Sequence, residues 1–200
     1  EILIDNICYT FNNRHKTATI VNADYCCNSV EINIPETVIY EGVEYKVTKI
    51  GIYAFSYCKL LETIVIPDYI KEIKMCAFAN CESLKSIVLP KKLKTIQFET
   101  FKGCTSLESF TIPSTVTSMT STFESCTSLT SIEIPSNVKE VNYNTFNKCS
   151  ALTSITFNEG LTKLSGGAVF SGTAITELRF PNSLESISDA GFAGASKLTT

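Results

Sequence analysis

A phenylalanine that returns every 22–24 residues constrains this 200-residue chain more than any other feature. The row contains Phe55, Phe78, Phe101, Phe123, Phe146, Phe170 and Phe192, and a cysteine follows three residues after each of the first five, at Cys58, Cys81, Cys104, Cys126 and Cys149. A period of this length is typical of a solenoid, in which each unit buries its apolar face only against its neighbours. The sequence therefore predicts a stack of repeats rather than a single globular core.

Each repeat divides into three parts. The first has alternating apolar residues, as in Leu61-x-x-Ile64-x-Ile66, and is predicted to be a half-buried strand that a proline such as Pro67 ends. The second is an apolar pair three residues apart, such as Ile70/Ile73, which predicts a short extended segment on the opposite wall. The third is the corner around the phenylalanine, where we expect one turn of 3₁₀ or α-helix because the segment is too short for a longer helix.

Residues 1–50 do not follow this pattern and are predicted to form an N-terminal capping segment with a first partial repeat. The β-prone runs 7–11 and 17–21 flank a polar turn and indicate a hairpin, and residues 39–46 indicate a second hairpin with Glu41-Gly42 at its turn. A solenoid needs such a unit to shield the first face of its core. Residues 51–200 then form the solenoid, with about six repeats.

The repeat pattern weakens toward the C-terminal end. Thr173 and Ala195 replace the cysteine, and Gly166-Gly167 interrupts a unit. We interpret the last repeat as truncated, with the chain cut from a longer one, and expect these last repeats to be the most mobile part.

Composition narrows the classes of function. The net charge is −3 with a pI near 5.3, which gives no overall electrostatic basis for binding nucleic acid or anionic lipid. No apolar run approaches the length of a membrane-spanning helix, so no membrane insertion is expected within this chain. The oligomeric state is left open.

The five repeat cysteines are interpreted as buried thiols that act as small hydrophobic side chains. Disulfides between neighbours are the alternative, but parallel stacked side chains would hold the Cβ atoms farther apart than the roughly 3.8 Å that a bridge prefers. A bridge from Cys8 to Cys26 or Cys27 is a further possibility that the sequence leaves open.

The pattern Leu-x-x-Ile-x-Ile-Pro-x-x-Val-x-x-Ile-x-x-x-Ala-Phe-x-x-Cys resembles the BspA-like, or Treponema pallidum-type, leucine-rich repeats. The resemblance covers residues 50–200. It implies a right-handed, β-rich superhelix with parallel strands on one face, short second strands and 3₁₀ or α turns on the other, and an N-terminal β-hairpin cap. It also implies cell-surface or secreted proteins that adhere to host matrix proteins such as fibronectin and fibrinogen.

Signals for catalysis, cofactors or metal are weak. The single histidine, His15, lies in a predicted turn and is interpreted as a solvated turn residue, so a Ser/His/Asp or Cys/His site has little to draw on. Cys26-Cys27 is not a Cys-x-x-Cys pair, and Cys76/Cys81 has no second pair, so a zinc site is not indicated. We predict a non-catalytic protein without cofactor or metal.

The candidate binding surface is the outward side of the main strands, where side chains of successive repeats would align in rows. The residues singled out there, or at its edge in the case of Tyr69, are Glu62, Thr63, Val65, Tyr69, Lys85, Val88, Glu108, Thr111, Glu133 and Arg179. Tyr69 and Arg179 are of types favoured in binding hot spots. The alternative is that most of these residues are ordinary solvent-facing strand residues.

Two functional hypotheses follow. The first is a cell-surface or secreted adhesin that binds a host matrix or cell-surface protein through the strand face. The alternative is an intracellular leucine-rich-repeat interaction scaffold, which the unpaired cysteines favour.

Overall fold

The computed structural model describes residues 1–21, 29–188 and 190–199, and all regular elements in these ranges are strands. Cys26 and Cys27, and with them the bridge considered from Cys8, lie outside the described residues. Five strands form the N-terminal part: β1 (Ile2–Ile4), β2 (Ile7–Asn12), β3 (Thr17–Val21), β4 (Thr37–Tyr40) and β5 (Val43–Ile50). The repeats add β6 (Thr63–Val65), β7 (Glu72–Ile73), β8 (Ser86–Val88), β9 (Thr95–Ile96), β10 (Ser118–Met119), β11 (Ser131–Ile134), β12 (Glu140–Asn142), β13 (Ser154–Phe157), β14 (Lys163–Ser165) and β15 (Ser186–Ile187).

The repeats stack as a solenoid with two walls of parallel strands. The front wall contains β6 paired with β8 and β11 paired with β13, and the back wall contains β9 paired with β10 and β12, β14 and β15 in order. Along the front-wall strands exposed and buried residues alternate, because successive side chains point to opposite faces. The predicted class, a β-rich repeat solenoid with parallel strands and a hairpin cap, is confirmed.

Both predicted hairpins are present. Strand β2 pairs antiparallel with β3, and β4 with β5 across the Glu41-Gly42 turn, where both residues have positive φ. The end of β5 also pairs in parallel with β7, through Lys49 with Glu72 and Ile50 with Ile73. One sheet therefore crosses the predicted boundary at residue 50, and the division into a cap at 1–50 and a solenoid at 51–200 stays a prediction.

The corners close by backbone hydrogen bonds in two directions. In the first corner the N–H groups of Ala54, Ser56 and Cys58 donate to carbonyls three residues earlier, as in a 3₁₀ turn. The N–H groups between them donate to the next repeat, as from Phe55 to Ala77 O (2.8 Å). On both sides of the phenylalanine, Tyr53 and Tyr57 have positive φ and so adopt the left-handed backbone conformation. The corner therefore has the predicted 3₁₀-type hydrogen bonds but does not continue as a helix.

The core follows the two rows predicted from the sequence. Phenylalanine rings of neighbouring repeats stack with centroids 5.3–6.3 Å apart from Phe55 to Phe192. The five repeat cysteines are buried, and Cys81, Cys104, Cys126 and Cys149 are free thiols. From the second onward, each thiol lies 3.0–3.2 Å from the phenylalanine carbonyl of the preceding repeat, as for Cys104 and Phe78. The prediction of buried thiols is confirmed for this row.

The front wall is interrupted in its middle. Residues 109–112 form no strand, although they occupy the position between β8 and β11. Here Phe110 takes the place of the isoleucine or leucine of other repeats, and its ring packs between Phe101 (4.9 Å) and Phe123 (4.7 Å). No strand pairing joins this segment to β8 or β11, so the paired strands of the front wall form two separate pairs, β6 with β8 and β11 with β13.

The C-terminal repeats are less buried than the central ones. Ile187 of β15 is exposed, and Leu184 and Phe192 are only half-buried. Thr173 is buried at the position that cysteine occupies in the earlier repeats. Its hydroxyl donates to Phe170 O of its own repeat (2.8 Å), whereas the thiols of Cys81, Cys104, Cys126 and Cys149 contact the preceding repeat. The looser C-terminal packing agrees with the weaker repeat pattern, and the expected mobility of these repeats stays a prediction.

Candidate functional site

The predicted binding rows lie side by side on the front wall. Thr63 pairs with Ser86, and Val65 pairs with Val88, whose side chains are 63% and 57% exposed. Thr111 and Glu108 are exposed on the next repeat, where the wall is interrupted. The two valines therefore form an exposed apolar patch at the N-terminal end of a face that otherwise carries mostly Ser and Thr hydroxyls.

Four of the five charged candidates on this face, all except Glu108, form a side-chain contact with a neighbouring residue. Glu62 and Lys85 of neighbouring repeats form an ion pair at 2.7 Å. Glu133 accepts a hydrogen bond from Asn158 Nδ2 at 2.7 Å, and Arg179 Nε donates to Glu177 at 2.7 Å. Because these pairs are exposed, each contributes little to stability, and their side chains can exchange partners with a ligand.

Tyr69 is placed apart from the other candidates. It follows the proline corner and is half-buried against the core, and its hydroxyl donates to Ile34 O at 2.6 Å. The pKa of Tyr69 is raised, mainly because its side chain is partly buried and to a smaller extent because the Glu36 carboxylate lies nearby. Its hydroxyl connects the cap segment to the solenoid, whereas the other candidates lie on the strand face.

A groove runs along the front wall past its interruption. It consists of three clefts of about 390, 710 and 630 Å³, which overlap because Thr111, Pro113 and Ser114 line the first two and Ser154, Thr156 and Asn158 line the last two. We call this continuous feature the front groove. Of the predicted residues, it brings together Val88, Thr111, Glu133 and Arg179.

The front groove has the dimensions of an extended peptide. It crosses five successive repeats, from Ile87 to Pro181, which at the usual strand separation of about 4.8 Å corresponds to about 19 Å. An extended chain advances about 3.3 Å per residue, so the groove matches about six residues that cross the strands. Along the interrupted part, the backbone N–H groups of residues 109–112 donate no hydrogen bond to the backbone of any described residue.

The interior offers no reactive group to this surface. Burial raises the pKa of the Cys104 and Cys126 thiols well above the usual range, and that of Cys149 to about 12. A thiol acts as a nucleophile only as its thiolate, so these cysteines are structural. Among the described residues, no group of three or more His, Cys, Asp or Glu is arranged to hold a metal ion.

We expect the row cysteines to resist modification in the native protein. At pH 8 an aromatic disulfide reagent will leave them unreacted over hours, because they are buried and their pKa values are raised, and will modify them within minutes in guanidinium chloride. The measurement is the absorbance of released thiolate. A Cys26→Ser/Cys27→Ser variant removes the signal from those two thiols, and fast labelling of this variant without denaturant would contradict the burial.

Sequence reasoning missed an exposed apolar row at the corners. The position three residues before Phe55, Phe78, Phe101 and Phe146 holds Ile52, Met75, Phe98 and Tyr143, all exposed, whereas Thr120 and Gly167 stand at this position before Phe123 and Phe170. The recurrence of apolar residues at this offset was visible in the sequence, but the corner was interpreted only as a turn. A second missed feature is a cluster of lysines where the cap meets the solenoid.

The repeat architecture, the parallel walls and the peptide-sized groove define a leucine-rich-repeat protein. The profile of the BspA type leucine rich repeat region matches in six copies, over residues 22–122 and 119–200. The chain belongs to this BspA-type leucine-rich-repeat family. No curated protein matches the sequence.

Several solved structures are similar. A leucine rich cell surface protein from Faecalibacterium prausnitzii A2-165 is 31% identical with a TM-score of 0.83, over 100% of this chain and 53% of that one, so this chain spans about half its length. The T. pallidum leucine rich repeat protein has 21% identity and a TM-score of 0.67, over 100% and 96% of the two chains. The pneumococcal vaccine antigen PcpA has 20% identity and a TM-score of 0.52, over 93% and 45%. The last two show the shared fold.

In the part of the chain that the structure describes, no helix is long and apolar enough to cross a membrane. The family and the fold support a protein-interaction repeat module.

Proposed function

We propose that this protein is a non-catalytic binding module that takes an extended polypeptide segment of a protein ligand into the front groove. The observation that carries the proposal is the continuity of the groove across five repeats, with hydroxyl-bearing side chains along it and the exposed Val88 at one end. Ser and Thr hydroxyls both donate and accept hydrogen bonds, so they can pair with the backbone of an extended ligand.

The biological setting that we propose is the cell surface or the secreted space, where the module acts as an adhesin. The similarity to a leucine rich cell surface protein of F. prausnitzii supports this setting. The ligand is then a host matrix or cell-surface protein, and fibronectin and fibrinogen are the first to be tested. Of the other front-wall candidates, Glu62, Thr63 and Val65 extend the same face toward the cap, and Lys85 and Glu108 lie beside the groove in the repeats of Val88 and Thr111.

The groove residue Thr111 gives the sharpest test. It is exposed and lines both the 390 and the 710 Å³ clefts, so Thr111→Trp blocks the groove where these two clefts overlap without disturbing the core. We expect affinity for immobilised fibronectin or fibrinogen to fall about tenfold or more, because an extended ligand could no longer pass from one cleft to the next and would lose well-packed contacts. Surface plasmon resonance measures the change.

The matched control is Thr117→Trp, which places the same side chain on an exposed back-wall position. This variant should keep its affinity. Equal losses in the two variants would show that binding does not use the groove. If the unaltered protein binds neither matrix protein, the adhesin proposal fails for these ligands.

A second candidate, an intracellular interaction scaffold, is favoured by the cysteines. Cys76, Cys81, Cys104, Cys126 and Cys149 are free and buried, and thiols persist most readily in a reducing compartment. Immunofluorescence on intact and on permeabilised source cells separates the candidates, because a surface adhesin is stained without permeabilisation.

A further inference from the structure

Five lysines cluster where the cap meets the solenoid. Unlike most other lysines of this chain, they have no ion-pair partner among the described residues. Lys49, Lys59, Lys74, Lys85, Lys102 and Lys163 each form an ion pair with a glutamate. The five lysines of the cluster are exposed and form no ion pair with any described residue: Lys46, Lys71, Lys91, Lys92 and Lys94. An overall acidic chain thus carries a local surface of uncompensated positive charge.

Three of these lysines line one cleft. Lys46 of β5, Lys71 before β7 and Lys92 of the following corner surround a volume of about 380 Å³, which we call the lysine cleft. Lys94 occupies the position equivalent to Lys71 in the next repeat, about 4.8 Å along the stack, and Lys91 adjoins Lys92. The positive groups therefore follow the stacking direction and continue beyond the cleft.

The carboxylates around the lysine cleft do not cancel this charge. Glu36 and Asp68 line it, and Asp68 Oδ1 already accepts a hydrogen bond from the Lys91 N–H at 2.8 Å. On the adjacent back-wall row, Glu72 is shared by Lys49 (2.7 Å) and Lys74 (2.5 Å). Two lysines against one glutamate add further positive charge beside the cleft.

We propose that the lysine cleft and its flanking Lys91 and Lys94 bind an acidic polysaccharide, a linear sugar chain that carries sulfate and carboxylate groups. Lysine ammonium groups bind such anions as point charges without a fixed geometry. Glu36 and the free oxygen of Asp68 can accept hydrogen bonds from sugar hydroxyls, which alternate with the anionic groups along such a chain. This surface is separate from the front groove and does not depend on the function proposed for it.

The surroundings disfavour other polyanions. Tyr69, the aromatic residue of the cleft, packs against the core and has its hydroxyl bonded to Ile34 O, so its ring is not free to stack on a nucleic-acid base. A planar layer of lipid phosphates would place negative charge against Glu36 and Asp68, which line this concave site. A flexible chain can instead direct its anionic groups to the lysines and its hydroxyls to the carboxylates.

Binding of the full chain to heparin tests the proposal. We expect saturable binding that weakens about tenfold or more between about 50 and 200 mM salt, because each bound lysine releases counterions from a polyanion. The variant Lys46→Gln/Lys71→Gln/Lys92→Gln should bind about tenfold or more weakly than the unaltered protein. The control Lys139→Gln/Lys148→Gln/Lys197→Gln removes the same charge from exposed lysines elsewhere and should change affinity less than about twofold.

Each outcome decides the question. No saturable heparin binding at low salt, or equal losses in the two triple variants, would overturn the proposal. So would binding of duplex DNA or of phosphatidylserine vesicles at least as tight as that of heparin. Heparin binding by Thr111→Trp should be unchanged, so a failure of the lysine cleft is distinguishable from a failure of the front groove.

Discussion

Phe101→Ala is expected to lower the free energy of unfolding by about 3–5 kcal/mol, the usual cost of removing a buried phenylalanine side chain. Phe101 is fully buried, and its ring contacts those of Phe78 (5.7 Å), Phe110 (4.9 Å) and Phe123 (6.1 Å). The substitution removes contacts within the row of stacked phenylalanines and also the contact between this row and Phe110 of the front wall. Urea denaturation followed by circular dichroism measures it.

Phe98→Ala is the matched control, three residues earlier in the same corner. Phe98 is 43% exposed, so the substitution should cost far less, about 1 kcal/mol or below, since solvent replaces most of the lost contacts. Similar losses at the two positions would contradict the assignment of Phe101 to the core row and of Phe98 to the exposed corner row.

Gly160→Ala is expected to destabilise the protein by about 2–4 kcal/mol, combining backbone strain with overpacking. Gly160 has φ +122°, and a Cβ there would lie 2.1 Å from the backbone oxygen of Ser136 in the preceding repeat. Neither atom can move without shifting a corner. The position follows Asn158, where the other repeats have a proline.

Gly42→Ala separates the two causes of this loss. Gly42 also has positive φ, +73°, but a Cβ there would have no neighbour within 4 Å. Its substitution should cost about 1 kcal/mol, from backbone strain alone. Thermal unfolding of both variants measures the difference, and a Gly160→Ala variant no less stable than Gly42→Ala would exclude the predicted contact between the corners.

The sequence predicted the features that depend on period. The spacing of Phe55 and its equivalents indicated the solenoid, the alternation in Leu61-x-x-Ile64-x-Ile66 indicated the front wall, and the burial of Cys104 followed from its register. These inferences succeeded because burial in a repeat is decided by position within the period. The phenylalanine, strand and cysteine positions recur in several repeats, so these predictions did not depend on any single residue.

The corner conformation could not be predicted from residue types. Tyr53, Cys76 and Ala168 have positive φ, although side chains of these kinds disfavour the left-handed region. Hydrogen bonds between repeats hold them there, as from Cys76 N to Phe98 O (3.0 Å), and such bonds depend on the neighbouring corner rather than on the local sequence. The interruption at residues 109–112 was also missed, because the apolar alternation there matches that of the repeats that do form strands.

The candidate surface was predicted in outline only. Val88, Thr111, Glu133 and Arg179 line the front groove, but the groove itself was not predicted, because its depth depends on the relative positions of neighbouring repeats. The lysine cleft was not predicted, because Lys46 and Lys92 are distant in sequence. In addition, the net negative charge of the whole chain says nothing about a local excess of lysine.

The bonds between neighbouring corners also bear on how the chain folds. Ring stacking, the thiol contacts and the corner hydrogen bonds join residues about one repeat apart, such as Cys104 and Phe78, at a separation of 26 positions. Adding repeats to such a chain lengthens it without requiring more distant segments to meet, so the entropy of loop closure for each step stays constant. Once two adjacent repeats have formed, each further repeat can therefore add to a completed edge.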